Sequence, residues 1–241
     1  MQSGLYVALS AQVALENRMD TIANNVANLA TVGYRADAVH FESLLSDAGS
    51  DPVAFSTSGK TYISRASGES IHTGNPLDVA VQGDGWLAIK TPAGIAYTRD
   101  GRLTMGETGE LKTLNGYQVL DAGNSQLVLD PAGGTPVVAR DGMITQDGKQ
   151  TGAIGLFQID NNATLSRYDN SSVIPSKPAN PVLDFSANGI IQGFVEGANV
   201  NPVIEMANLI KVSRTFESIS QLSQTTDSSL EDAIKTLGST S

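Results

Sequence analysis

The two ends of this 241-residue sequence carry one hydrophobic period and its middle carries another. Near the N-terminus Leu5, Ala8, Gln12, Leu15, Met19, Ile22, Val26 and Leu29 alternate spacings of three and four. This is a heptad seam with a single polar member, Gln12. It predicts a helix of about 25 residues, ~37 Å long at ~1.5 Å per residue, with Gly33 as its stop signal. Near the C-terminus Leu209, Val212, Phe216, Ile219, Ser223, Thr226, Leu230, Ala233 and Leu237 repeat the alternation, with Met206 one turn ahead. Asn201-Pro202 marks the start of that helix, because proline in a first turn gives up no needed N–H. Gly238 follows its last periodic residue.

Residues 34–200 read as β. Alternating stretches such as Leu77–Val81 and Leu127–Leu129 are divided by turn signals, among them Gly83-Asp84-Gly85, Asp100-Gly101, Asp141-Gly142, Asp147-Gly148 and Asn188-Gly189. Asn115-Gly116, between Leu111–Leu114 and Tyr117–Leu120, is the clearest two-residue hairpin. Residues 48–70, rich in Ser, Gly and Thr, are expected to be loop. The Pro-rich run 175–181 can be neither helix nor central strand and reads as a connector. The fold class that follows is α+β. Long terminal helices (1–33 and 201–241) pair as a coiled coil, with a central mainly-β domain (34–200) between them.

Composition removes several function classes. With no cysteine, the chain has no disulfide, thiolate nucleophile or Cys-ligated zinc. Its two histidines, His40 and His72, are unclustered, so no metal site is expected. A net charge of −10 offers no electrostatic footprint for nucleic acid or an anionic membrane surface. The longest N-terminal apolar run, Leu5–Leu9, is far short of the ~18 residues that span a bilayer. The first charge is Glu16, so the basic start of a cleaved secretory signal is missing.

The faces opposite the seams are unusual for solvated helices. They carry Ser10, Asn24, Asn25 and Asn28, then Ser213, Ser218, Ser220, Gln221 and Gln224, with few charges. Small uncharged polar groups can pack against other helices without stranding a charge. One reading is a helix surrounded by helices of other subunits; the alternative is an antiparallel pair within one chain, docked on the β domain. Asn24, Asn25 and Asn28 could set helix register in an assembly or simply cap the helix end.

Other motifs divide similarly. Gly83-Asp84-Gly85 leads into the strand-like Trp86–Ile89, so it is a turn rather than a phosphate loop. Asp141 to Asp147 lacks the closing Glu of a calcium loop. Asp78 with Glu107 or Glu110 could be a glycosidase pair acting on peptidoglycan, or three surface carboxylates. Arg99 could be a hairpin residue with a stacked or paired guanidinium, or an exposed turn arginine.

Several segments resemble the flagellar axial proteins of bacteria, the rod, hook and hook-associated subunits. Ala23-Asn24-Asn25-Val26-Ala27-Asn28 running to Thr31-Val32-Gly33-Tyr34 is similar to their N-terminal rod signature. Asn75, Pro76, Leu77 and Asp78, then Gly83, Gly85 and Trp86, then Thr98, Arg99 and Gly101, with Gly109-Glu110-Leu111, resemble their core pattern. Gly193–Glu196, Asn199–Asn201, Glu205-Met206 and Arg214–Glu217 resemble their C-terminal signature. Trp86 stands where Phe is commoner, and Ala198 where Ser usually precedes Asn-Val.

The resemblance implies a structural subunit of the proximal rod type, with the distal type next, and no catalytic, cofactor or metal site. It implies export by the flagellar type III apparatus without a cleaved signal, and helical polymerisation with copies of itself and neighbouring rod subunits in the basal body. The implied assembly residues are Leu5, Leu15, Met19, Ile22, Asn24, Asn25, Val26 and Asn28, with Met206, Leu209, Val212, Phe216, Ile219 and Leu230. The rival classes are a peptidoglycan-processing enzyme with dimerisation helices and a cytoplasmic coiled-coil adaptor.

Overall fold

The computed structural model describes residues 2–40, 43–46, 53–56 and 59–238. Helices at the two ends flank a mostly β middle, which makes the fold α+β. The chain divides into two compact units.

The helical unit draws on Met1–Ala27, Asp37–Tyr62 and Asn201–Ser241. Helix α1 (Gln2–Ala27) and helix α2 (Pro202–Gly238) lie in contact. On α1 the seam residue Ile22 is buried, and Ala8, Gln12, Leu15, Met19 and Val26 are half-buried. On α2 Val212 is buried, and Leu209, Phe216, Ile219, Ser223 and Thr226 are half-buried. The seam side chains of Leu5 and Leu230 lie outside the described set. Asn201 caps α2: its Oδ1 accepts from the N–H groups of Val203 (3.1 Å) and Ile204 (3.2 Å), with Pro202 at the first helical position.

Helix α1 stops at Ala27 rather than running to Gly33. The next residues turn, Thr31 N–H donating to the Asn28 carbonyl (3.0 Å) and Tyr34 N–H to that of Thr31 (3.2 Å). Residues 48–70, expected as loop, contain strands Val53–Ser56 and Lys60–Ile63, paired with Ser43–Ser46 and Asp37–His40 respectively. The alternation in Lys60-Thr61-Tyr62-Ile63 was masked by the surrounding Ser and Gly.

The central unit comprises Asn28–Ala36 and Ile63–Val200. Its spine is strand Gly85–Thr91. One edge pairs antiparallel with Gly94–Thr98. The other pairs with Leu156–Gln158 along its first half and Gln118–Val119 along its second. Because strand side chains alternate, the spine feeds two cores. Leu87 and Ile89 join Val79, Val81, Leu111, Leu127 and Leu129 on one face. Trp86 and Ala88 join Ile63, Tyr97, Leu120 and Phe157 on the other.

The hairpins correct one turn assignment. At Asn115-Gly116 the Gly116 N–H donates to the Thr113 carbonyl (2.9 Å) and Thr113 N–H to that of Tyr117 (2.8 Å). Only Gly116 takes positive φ, +84°, so this is a three-residue loop with glycine in the left-handed position. The two-residue turn is Asp147-Gly148, both left-handed, joining Gln146 to Lys149. In the Pro-rich run, Pro175 ends strand Ser172–Pro175 and Asn180–Pro181 makes a short pairing with Phe157 and Gln158, positions where a missing N–H is tolerated.

Candidate functional site

The central unit is organised around a buried ionic cluster drawn from segments far apart in sequence. Arg35 precedes strand Asp37–His40, Arg99 follows strand Gly94–Thr98, and Glu196 ends strand Phe194–Glu196. All three are at most 2% exposed. Arg35 Nη2 lies 2.7 Å from Glu196 Oε1, and Arg99 Nη1 lies 2.9 Å from Oε2. Gly68 N–H also donates to Oε1 (2.8 Å). The guanidinium of Arg99 donates further to the carbonyls of Val81 (3.2 Å) and Gly83 (2.6 Å), and that of Arg35 to the carbonyl of Ala66. Both guanidiniums lie over the Trp86 ring, at 5.6 Å for Arg35 and 5.2 Å for Arg99. Burial pushes both arginines below their ordinary pKa, Arg35 to about 10, against the opposing pull of Glu196. Arg35 therefore stays charged at neutral pH, and two cations share one buried anion.

A second layer surrounds the cluster. Asn199 Oδ1 accepts from Ala36 N–H (2.6 Å), and its Nδ2 donates to the Ala66 carbonyl (2.7 Å) and Ser64 Oγ (3.2 Å). Arg167 lies over the Tyr34 ring at 4.5 Å and donates to the Arg35 carbonyl (2.5 Å). Gly33, at φ +71°, approaches the Arg99–Asp100 backbone so closely that a Cβ would sit 2.2 Å from the Asp100 nitrogen. Thus the Gly33 of the N-terminal signature is a packing glycine, not a helix stop.

The core signature falls into place around this cluster. Asp78, Gly85, Trp86, Thr98, Arg99 and Gly101 are buried, Leu77 is half-buried, and Asn75, Pro76 and Gly83 are exposed. Asn75 forms a turn with Asp78, its Oδ1 accepting from Leu77 N–H (3.2 Å) and its Nδ2 donating to Asp78 Oδ1 (3.1 Å). Gly83 turns Val79–Gln82 into the spine, and Arg99 is stacked and paired. Sequence reading found Arg99 but missed Arg35 and Glu196. The signal available was a lone charge inside an otherwise apolar or small-residue run, Gly33-Tyr34-Arg35-Ala36 and Phe194-Val195-Glu196-Gly197.

The carboxylates weighed as a hydrolytic pair have other work. Asp78 holds the Asn75 turn, and Glu110 pairs with Lys112 at 2.8 Å. Among the described residues no three His, Asp or Glu side chains gather as a metal site, and no helix is long and apolar enough to cross a membrane.

The assembly residues, all in the helical unit except Asn28, divide by exposure. Ile22, Asn25 and Val212 are buried; Leu15, Met19, Val26, Asn28, Leu209, Phe216 and Ile219 are half-buried; Asn24 and Met206 are exposed. Met206 falls off the seam because the alternation, run back from Leu209, steps four to the half-buried Glu205. Asn25 exchanges two hydrogen bonds with the Asp37 backbone, each 2.9 Å, and so clamps the following strand to α1. Asn28 accepts from Thr31 Oγ1 (3.1 Å) in the turn after α1. A cavity of about 240 Å³ lies among Arg18, Ile22, Asn25, Asp37, Glu205 and Asn208. Burial there holds the Glu205 carboxyl above its ordinary range, opposed by a hydrogen bond from Asn25 and the charge of Arg18.

The outer faces expose apolar groups instead. Tyr6 (61%), Leu9 (54%) and Val13 form an i, i+3, i+7 stripe on α1; Val203 (71%), Met206 and Ile210 (55%) form one of the same spacing on α2.

Three family descriptions match in order. These are the flagella basal body rod protein (residues 5–35), the flagellar hook protein FlgE/F/G D1 domain (80–150) and the flagellar basal body rod FlgEFG protein C-terminal (191–236). The flagellar basal-body rod protein FlgF of Mesorhizobium japonicum is 53% identical over 100% of both chains. The FlgF of Rhizobium meliloti is 46% identical over 99% of both. The rod protein FlgG of Bacillus subtilis is 28% identical over 97% of this chain and 98% of that one. With full-length likeness at these identities, the chain belongs to the flagellar basal-body rod protein family, alongside FlgF.

Proposed function

We propose that this protein is a structural subunit of the flagellar basal-body rod, built into the proximal segment and acting mechanically rather than catalytically. Subunits polymerise helically through α1 and α2, which pair as a coiled coil along Leu15, Met19, Ile22 and Val26 against Leu209, Val212, Phe216 and Ile219. Copies of the chain and neighbouring rod subunits then cover the outer stripes. The subunit reaches the rod through the flagellar type III export apparatus, and a cysteine-free chain crosses an oxidising compartment without mispairing.

The observation that carries this reading is the pair of exposed apolar stripes on helices whose seams are already occupied. Leu9, Val203, Met206 and Ile210, already partly covered, would each gain about 1–2 kcal/mol on full burial. A solvated helix would place Glu and Lys there. The 53% identity to a FlgF supports the proximal segment over the distal one.

Ile22→Asp tests the proposal. It sets a charge in a site only 5% exposed within the helical unit. Cells carrying it should lack rods and swim no further than a deletion strain, while the purified protein keeps the β circular dichroism of its central unit. Motile cells with wild-type rods would defeat the proposal; a lost β signal would place Ile22 in the central core.

A further inference from the structure

We propose that the buried cluster is a single latch: segments 28–36 and 193–199 open together, in one step keyed by Glu196, and neither leaves the central unit alone. The inference rests on the central unit by itself and stands whether or not the rod reading does.

Strand Phe194–Glu196 pairs with Ser70–His72, and the two segments are also bonded directly to each other. Gly33 N–H donates to the Glu196 carbonyl (2.7 Å), Asn199 N–H to that of Tyr34 (3.3 Å), and Ala36 N–H to Asn199 Oδ1 (2.6 Å). Both then share a third stretch. Ser64 N–H donates to the Ala36 carbonyl (2.8 Å), Gly197 N–H to that of Glu69 (2.8 Å), and Gly68 N–H to the Glu196 carboxylate.

Electrostatics removes the half-open states. If 193–199 left first, Arg35 and Arg99 would face each other over Trp86 without their anion. If 28–36 left first, Glu196 would lose one guanidinium and Trp86 one of its two covers. Departure of 193–199 alone strands two cations, and departure of 28–36 alone breaks the hydrogen bonds it shares with 193–199, so the two segments open together and leave Arg99 to solvent. Segment 28–36 continues from α1 and segment 193–199 runs to α2, so the opening frees the chain next to both helices at once.

Residue-resolved hydrogen exchange on the full-length protein tests this. In the wild type the amides of Gly33, Ala36, Gly68, Gly197 and Asn199 should report one common opening constant. Glu196→Gln should raise all five by the same factor, at least about tenfold, while the hairpin Met143–Ala153 is unchanged. Acceleration confined to 193–199, or unequal wild-type opening constants in the two segments, would overturn the latch. If Glu196→Gln shows the emission of a solvent-exposed Trp86, the same comparison is made with Arg35→Lys, which keeps the charge but loses the planar fork.

Discussion

Replacing Glu196 by alanine is expected to cost the central unit about 3–5 kcal/mol, the usual penalty for breaking a buried ion pair. The magnitude follows from what is left behind. Arg35 and Arg99 would keep their burial and their stacking on Trp86 but lose the carboxylate that pairs with both, with only the weaker pull of Asp84 left. Since domains hold only about 5–15 kcal/mol in total, this is a large share. Trp86 is the only tryptophan and lies in the cluster, so urea unfolding followed by its emission reads the site directly. A loss under about 1 kcal/mol would mean that the cluster is solvated and does not anchor the unit. The same logic separates charge from volume: removing all three charges with apolar residues of similar size should cost much less than removing Glu196 alone.

Gly33→Ala should be nearly as severe, at roughly 3 kcal/mol or more, for a reason unrelated to charge. The residue sits at φ +71°, which disfavours any side chain, and its Cβ would lie 2.2 Å from the Asp100 nitrogen and 2.5 Å from the Arg99 carbonyl carbon. Both obstacles are backbone, so no rotamer change relieves them. The segment 28–36 would have to lift from the Arg99 turn and take Arg35 with it. Denaturation of Gly33→Ala beside wild type should show the loss; unchanged stability would mean that the segment is not seated on that turn.

Period carries the parts of this fold that are legible from sequence. The 3,4 spacing located both helices, and the apolar run Trp86–Ile89 located the spine strand, because each pattern is a local consequence of which side chains face a core. Ends were less legible. Gly33 looked like a helix stop because a glycine after a heptad run usually is one; its true constraint is a neighbour nearly 70 positions away. Asn115-Gly116 and Asp147-Gly148 carry equivalent turn signals, and only the register of their strands decides which is the two-residue turn. The ionic cluster was least legible, since Arg35 and Glu196 meet through long-range pairing and neither has a local partner to advertise it. Arg99 was singled out through the family's core signature; on the residues alone a buried arginine and an exposed turn arginine weighed the same.

In the assembled rod the exposed stripes of α1 and α2 are expected to be covered by other subunits. Because the chain has no cysteine, single cysteines at Leu9 and Met206 can be introduced on an otherwise unreactive background. Basal bodies isolated from cells carrying both substitutions would then be treated with a short thiol cross-linker. Cross-linked species larger than one chain are expected, with thiols in intact basal bodies shielded from a maleimide that labels the free subunit fully. Basal bodies that contain the protein, yet show both thiols fully labelled and no intermolecular product, would contradict it.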